Sequence, residues 1–274
     1  MCSFSSSARS GCSRISIVAP AFPAEVLRYL LAVCVAAAGA AAAQTFTVVD
    51  LTHRLEADMA LWPGVDPFRM ERLVDYHQGY RLHRFSLGEN VGTHVDAPSH
   101  FIPGGASIDA LPPAALVAPL VVVDVSAQAA RDPDYASGPG DFQNWEQQHG
   151  RIPPRALVVL NSGWHQRFSD PERYLNRDAE GGMHFPGFSL AGAEWLLARG
   201  VVGIGTDTLS IDPGNSADFA VHKRALAAGL YQVENLAHLD ELPAHGATAV
   251  VGVLPVRDGS QAPARVFALI PNSH

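Results

Sequence analysis

Past residue 43 the chain has no cysteine, because Cys2, Cys12 and Cys34 are its only three. Once the leading segment is removed, disulfides, thiolate ligands and a cysteine nucleophile are excluded from its chemistry. Charge is also scarce, at 17% of the 274 residues, and it leans acidic, with a formal net charge of -8. That balance argues against a nucleic-acid or anionic-membrane partner. The apolar run Tyr29 to Ala43 has fifteen residues, fewer than the about 20 that a spanning helix needs. There is no internal repeat and no interior linker. With 47% hydrophobic residues, the chain is long enough for one large globular domain or two small ones.

The first 43 residues read as a secretory signal. Arg9, Arg14 and Arg28 form a basic flank, the apolar run follows, and Ala41-Ala42-Ala43 offers a small-residue cleavage site before Gln44. The expected organisation is a signal over 1–43 and one domain over 44–274. Cleavage would leave a periplasmic or secreted protein of net charge -10, since three arginines and one glutamate leave with the signal. No stable membrane association is expected after cleavage.

Twelve histidines are a rich supply for a chain this size, which favours metal or acid/base chemistry. The densest polar cluster is Asn90-Val91-Gly92-Thr93-His94-Val95-Asp96-Ala97-Pro98-Ser99-His100. In an extended backbone Asn90, His94 and Asp96, an even number of residues apart, point the same way. Pro98 ends the strand and leaves His100 to be aimed separately. Nitrogen and oxygen donors with this reach suit zinc or manganese better than calcium. A lone His-x-Asp pair is more often an ordinary hydrogen bond than a ligand pair, so the cluster alone does not decide between the two.

Around it the chain reads as mixed α/β. Strands are expected over 45–52, 80–87, 116–125, 156–161, 201–205, 231–236, 247–254 and 265–270. Helices are expected over 142–149, 189–199 (Ser189 capping, Gly200 closing) and 219–228. The spacing between 156 and 205 implies a parallel crossover, which puts the Asp/Ser-rich loop Thr206–Gly214 beyond a carboxyl end, where sites usually lie. Two further residues stand out in apolar surroundings, His222 and Glu234. A glutamate in such a segment is costly to bury unless it is paired or coordinated, yet spacing alone favours the plainer reading of an ordinary helix histidine and an edge-strand carboxylate. Trp62, in Leu61-Trp62-Pro63-Gly64, and Trp164, just past a strand end, are aromatics that either pack or flank a pocket.

The cluster resembles the H-x-G-T-H-x-D-x-P-x-H signature of the metal-dependent cyclase-like hydrolases, which include bacterial kynurenine formamidase and isatin hydrolase. Asp50-Leu51-Thr52, Trp62-Pro63-Gly64, Gly205-Thr206-Asp207, His222, Glu234-Asn235-Leu236, Leu239–Pro243 and Pro263–Val266 are similar to the family's other blocks, in order. The resemblance implies an α/β swivelling β/β/α-type single domain with a mixed sheet or barrel and flanking helices. It also implies a homodimer and one or two zinc or manganese ions. His94 and Asp96 would hold the first ion, and Asp96 would bridge to a second held by His222 and Glu234. His100 would be the acid/base, and Trp62 would touch substrate. Asn90 stands where the formamidases have a histidine, and an amide oxygen suits manganese better than zinc. The implied reaction is hydrolysis of a non-peptide C–N bond, in an aryl formamide or a cyclic amide such as isatin, by activated water. A cyclase or dehydratase acting on a polyketide-like substrate, and a non-catalytic binding member of the same fold, are the alternatives.

Overall fold

The computed structural model describes residues 44–272; the secretory segment expected over 1–43 lies outside them. The strands are β1 Phe46–Asp50, β2 Arg69–Val74, β3 Leu82–Ser86, β4 His94–Asp96, β5 Val117–Asp124, β6 Ala136–Ser137, β7 Leu157–Asn161, β8 Gly187–Phe188, β9 Gly203–Thr206, β10 Tyr231–Glu234, β11 Ala247–Val253 and β12 Gln261–Pro271. The α-helices are α1 Ser126–Ala129, α2 Pro139–His149, α3 Pro171–Leu175, α4 Leu190–Leu197 and α5 Ala220–Ala227.

Seven strands close into a mixed barrel in the order β12-β11-β5-β7-β9-β10-β4, with β4 returning to β12. The run β5-β7-β9-β10 is parallel and the remaining contacts are antiparallel. Strand β12 makes closure possible because it is long. Its first three residues pair with β4 and its last five with β1. Alternation along each strand sorts side chains to two sides. Leu120, Val122, Leu157, Val159, Val95 and Val233 pack inside the barrel. Val121, Val123, Val158, Leu160 and Ile204 face outward, where α2, α4 and α5 cover them with Phe142, Trp145, Ala193, Leu196, Val221 and Ala225. This is the mixed α/β single domain that the resemblance implies.

Several boundaries move for physical reasons. The helix expected from Phe142 begins at Pro139, a residue suited to a first helical turn, and Asp141 accepts a hydrogen bond from Gly138 N. The extended stretch from Tyr231 stops at Glu234 because Asn235 takes a left-handed backbone, φ 55°. Strand β3 does not run into the cluster but forms a separate hairpin with β2. That partner strand is exposed at all but one position, so no apolar alternation marked it. Ser189 caps α4 as expected, accepting from Gly192 N.

The Asn90–His100 stretch is not one strand. Only His94–Asp96 is extended, and Gly92, at φ 71°, turns the chain just before it. A side chain there would meet Leu55 Cδ2 at 2.8 Å as well as backbone strain. Asn90 therefore does not share a strand face with His94 and Asp96, which corrects the sequence reading. Pro98 does end the strand, opening a 3-10 turn, Pro98–His100, that carries His100 away from the sheet.

Candidate metal centre

Register brings the site together. On β4, Val95 points into the barrel, so His94 and Asp96 point out of it. In the antiparallel β4–β10 pair, Glu234 lies opposite His94 and Gln232 opposite Asp96, and on the other flank Gln261 of β12 lies opposite Asp96. Helix α5 supplies His222. All of these side chains are buried.

Both carboxylates lie between both imidazoles. His94 Nε2 is 3.3 Å from Asp96 Oδ1 and 3.3 Å from Glu234 Oε2. His222 Nε2 is 3.3 Å from Asp96 Oδ2 and 3.1 Å from Glu234 Oε1. His100 joins Asp96 and His222 in a second set of donor atoms, all within 4.8 Å of one another, beside the set His94, Asp96 and Glu234.

The far side of each ligand is held. His94 Nδ1 donates to Gly92 O at 2.8 Å. His222 Nδ1 donates to Asp212 Oδ2 at 2.6 Å, and Asp212 also accepts from the Val221 and His222 amides that open α5. Gln261 Nε2 donates to Asp96 Oδ1 and Ile211 N donates to Glu234 Oε1. Such partners fix the imidazole tautomers so that each Nε2 faces the centre. At that centre two buried atoms, His94 Nε2 and Asp96 Oδ2, make no hydrogen bond within the protein. Buried polar atoms are normally satisfied, and a cation among two carboxylates and two imidazoles meets that need. The donor set of two imidazoles and two carboxylates fits a divalent metal ion.

Electrostatics agree. Burial opposes the charged form of His94, but Asp96 and then Glu234 outweigh it and lift its pKa to about 10. His222 is raised in the same way by Asp212, Asp96 and Glu234 against burial. Burial would raise Asp96, yet His222 and His94 hold it well below the usual carboxylate range. The two carboxylates thus demand positive charge at this point. His100 behaves differently. Burial lowers its pKa, and the nearby Asp96 does not restore it, so its neutral form is favoured.

Over the ligands lies a cavity of about 190 Å³, lined by Trp62, Asn90, His100, Phe101, Leu209, Ser210, Phe219, His222, Glu234 and Gln261. Three aromatic rings form part of its wall, those of Trp62 and Phe101 each lying 5.7 Å from that of Phe219. The structure therefore gathers every site residue expected from the sequence, Asn90 and Trp62 included, at one place. Trp164 is not among the lining residues; it is buried in the apolar cluster that packs against Trp62, with its indole N–H on Tyr174 O. Sequence reasoning missed Asp212, Gln261, Phe101 and Phe219. Only Asp212 left a signal, as the acidic residue at the end of the loop beyond β9. A larger cleft of about 660 Å³, near His53, His165 and Arg265, lies apart from these ligands.

Residues 49–213 match the Cyclase family model, and the chain belongs to that family. Fold and site together define a metal-dependent amidohydrolase. The isatin hydrolase of Roseibium aggregatum is 35% identical over 195 residues, 68% of this chain and 74% of that protein. A kynurenine formamidase of Paracidovorax citrulli is 27% identical over 231 residues, 81% of this chain and 96% of that protein. Among solved structures, isatin hydrolase A from Labrenzia aggregata, bound to benzyl benzoate, superposes with a TM-score of 0.78 at 34% identity, covering 90% of this chain and all of the other. An isatin hydrolase bound to the product analogue thioisatinate gives a TM-score of 0.79 at 28% identity over 92% of this chain and all of the other.

Proposed function

We propose that this enzyme opens a compact aromatic cyclic amide of the isatin type by hydrolysis. The observation that carries the reading is the small aromatic-walled cavity set directly over His94, Asp96, His222 and Glu234, with His100 at its edge. A divalent ion held by those four residues would polarise the scissile carbonyl and make water a better nucleophile at neutral pH. His100 is placed and tuned for the proton traffic. Neutral in the free enzyme, it accepts a proton as water attacks the carbonyl carbon, then returns one to the nitrogen as the C–N bond breaks. Water is consumed, and one product carries both the new carboxylate and the released amine. Trp62, Phe101 and Phe219 hold a flat ring system and keep bulk water away.

N-Formylkynurenine is the weaker candidate. It carries a charged amino-acid tail, for which a cavity of about 190 Å³ offers little room. The sequence is also less similar to kynurenine formamidase than to isatin hydrolase. Steady-state kinetics on isatin, N-formylkynurenine and a simple aryl formamide test the reading. The expected order of kcat/KM puts the cyclic amide first, and a preference for N-formylkynurenine would reverse the substrate assignment.

A further inference from the structure

Asn235 follows Glu234 directly and is buried, with only 1% of its surface exposed. Its φ of 55° lies in the left-handed region, where asparagine is among the few side chains found with any frequency. Its polar groups are all engaged. Nδ2 donates to Gly92 O at 3.0 Å, Oδ1 accepts from the Tyr174 hydroxyl at 2.8 Å, the carbonyl accepts from Thr93 Oγ1, and the amide donates to Thr208 O. The Tyr174 hydroxyl also reaches Asp207 O at 2.9 Å. The Asn235 amide therefore cannot rotate without breaking bonds in a closed interior.

The Gly92 carbonyl is the shared element. It accepts from Asn235 Nδ2 and from His94 Nδ1. Gly92 is also the most pliable residue in the turn ahead of β4, since it has no side chain and φ 71°. Released on one side, its peptide can rotate and withdraw the acceptor from His94. The neutral imidazole that a metal requires is then free to carry its proton on Nε2, the nitrogen that faces Asp96 and Glu234, and in that tautomer Nε2 has no lone pair to offer an ion.

We propose that Asn235 is a positioning residue for the metal centre. By clamping the Gly92 carbonyl it holds His94 in the tautomer and orientation that present Nε2 as a ligand. The inference rests on the metal-dependent reading above. If Asn235 merely closed the end of β10, its loss would lower stability and leave metal affinity alone.

The test is calorimetric titration of Mn²⁺, and separately Zn²⁺, into chelator-stripped protein, with thermal melting of the same samples in chelator. Asn235→Gly keeps the left-handed backbone and removes the amide. Asn176→Gly is the control, another left-handed asparagine, φ 45°, whose Nδ2 bonds His184 O away from the centre. Asn235→Gly is expected to lose about 10- to 100-fold in metal affinity, as is usual for a partner that orients a ligand. Asn176→Gly should bind as wild type does, whatever its melting temperature. Wild-type binding with Asn235→Gly within twofold of it would overturn the inference and spare the functional reading. A wild type that bound neither ion would overturn both. If Asn235→Gly does not fold, Tyr174→Phe, which frees the Asn235 amide, should weaken binding several-fold; unchanged affinity there would equally overturn the inference.

Discussion

Glu234 and His94 stand directly opposite each other in the β4–β10 pair, and Glu234 Oε2 is 3.3 Å from His94 Nε2. One backbone register thus places a carboxylate from one strand against an imidazole from the next. Asp96 and His222 complete the centre from the same strand and from the helix above it. Slipping β4 by one residue would turn both ligands into the barrel and Val95 out of it, so the fold and the site share one determinant.

His100 and His94 should separate chemistry from metal binding. His100→Ala is expected to keep metal while turnover falls about 10²- to 10⁴-fold, the usual weight of a general acid/base. His94→Ala should lose both. Elemental analysis beside kcat distinguishes the two variants.

Asp212 orients His222 and anchors the start of α5. Asp212→Asn keeps the shape but weakens the charge-assisted bond to the imidazole. Metal affinity should fall about 10- to 100-fold, measured by competition with a chromophoric chelator, with the melting temperature also reduced.

His165 sits between Asp207 and Asp240, with each ring nitrogen 3.0 Å from a carboxylate oxygen. Burial opposes its charge, but Asp207 and then Asp240 prevail and raise its pKa above 6.5. A histidine raised on folding adds stability that is fully present below its unfolded pKa and is lost as pH climbs through the folded one. The stability gap between wild type and His165→Gln should therefore be larger at about pH 6 than at about pH 9, read by urea unfolding.

Phe142 is fully buried, and its ring lies 6.2 Å from that of Phe188 and 5.7 Å from that of Trp195. Phe142→Ala should cost about 3–5 kcal/mol of stability through lost burial and a residual cavity. It lies in the helix layer and touches none of the ligands, so metal affinity at low temperature should be unchanged.

What the sequence disclosed depended on range. His94 and Asp96 were legible because two-residue periodicity and Pro98 are local signals. Glu234 and His222 stood out as polar residues in apolar runs, but spacing alone favoured an ordinary helix histidine and an edge-strand carboxylate; only the resemblance joined them to His94 and Asp96, and nothing in the sequence showed that each carboxylate lies between both imidazoles. Asn90 misled because the alternation argument assumed an extended chain through Gly92, which instead turns the backbone at φ 71°. Gln261 reaches Asp96 only because the long β12 closes the barrel, a pairing 165 residues apart in the chain. Strand β2 was invisible because it buries almost nothing.

The most direct test of the central claim is isatin hydrolysis by the chain from Gln44, followed by proton release, with metal content measured on the same sample before and after chelation. The account predicts one or two manganese or zinc ions per chain, ring opening that stops when the metal is removed, and recovery when it is returned. Ring opening that continues undiminished in metal-stripped protein would contradict it.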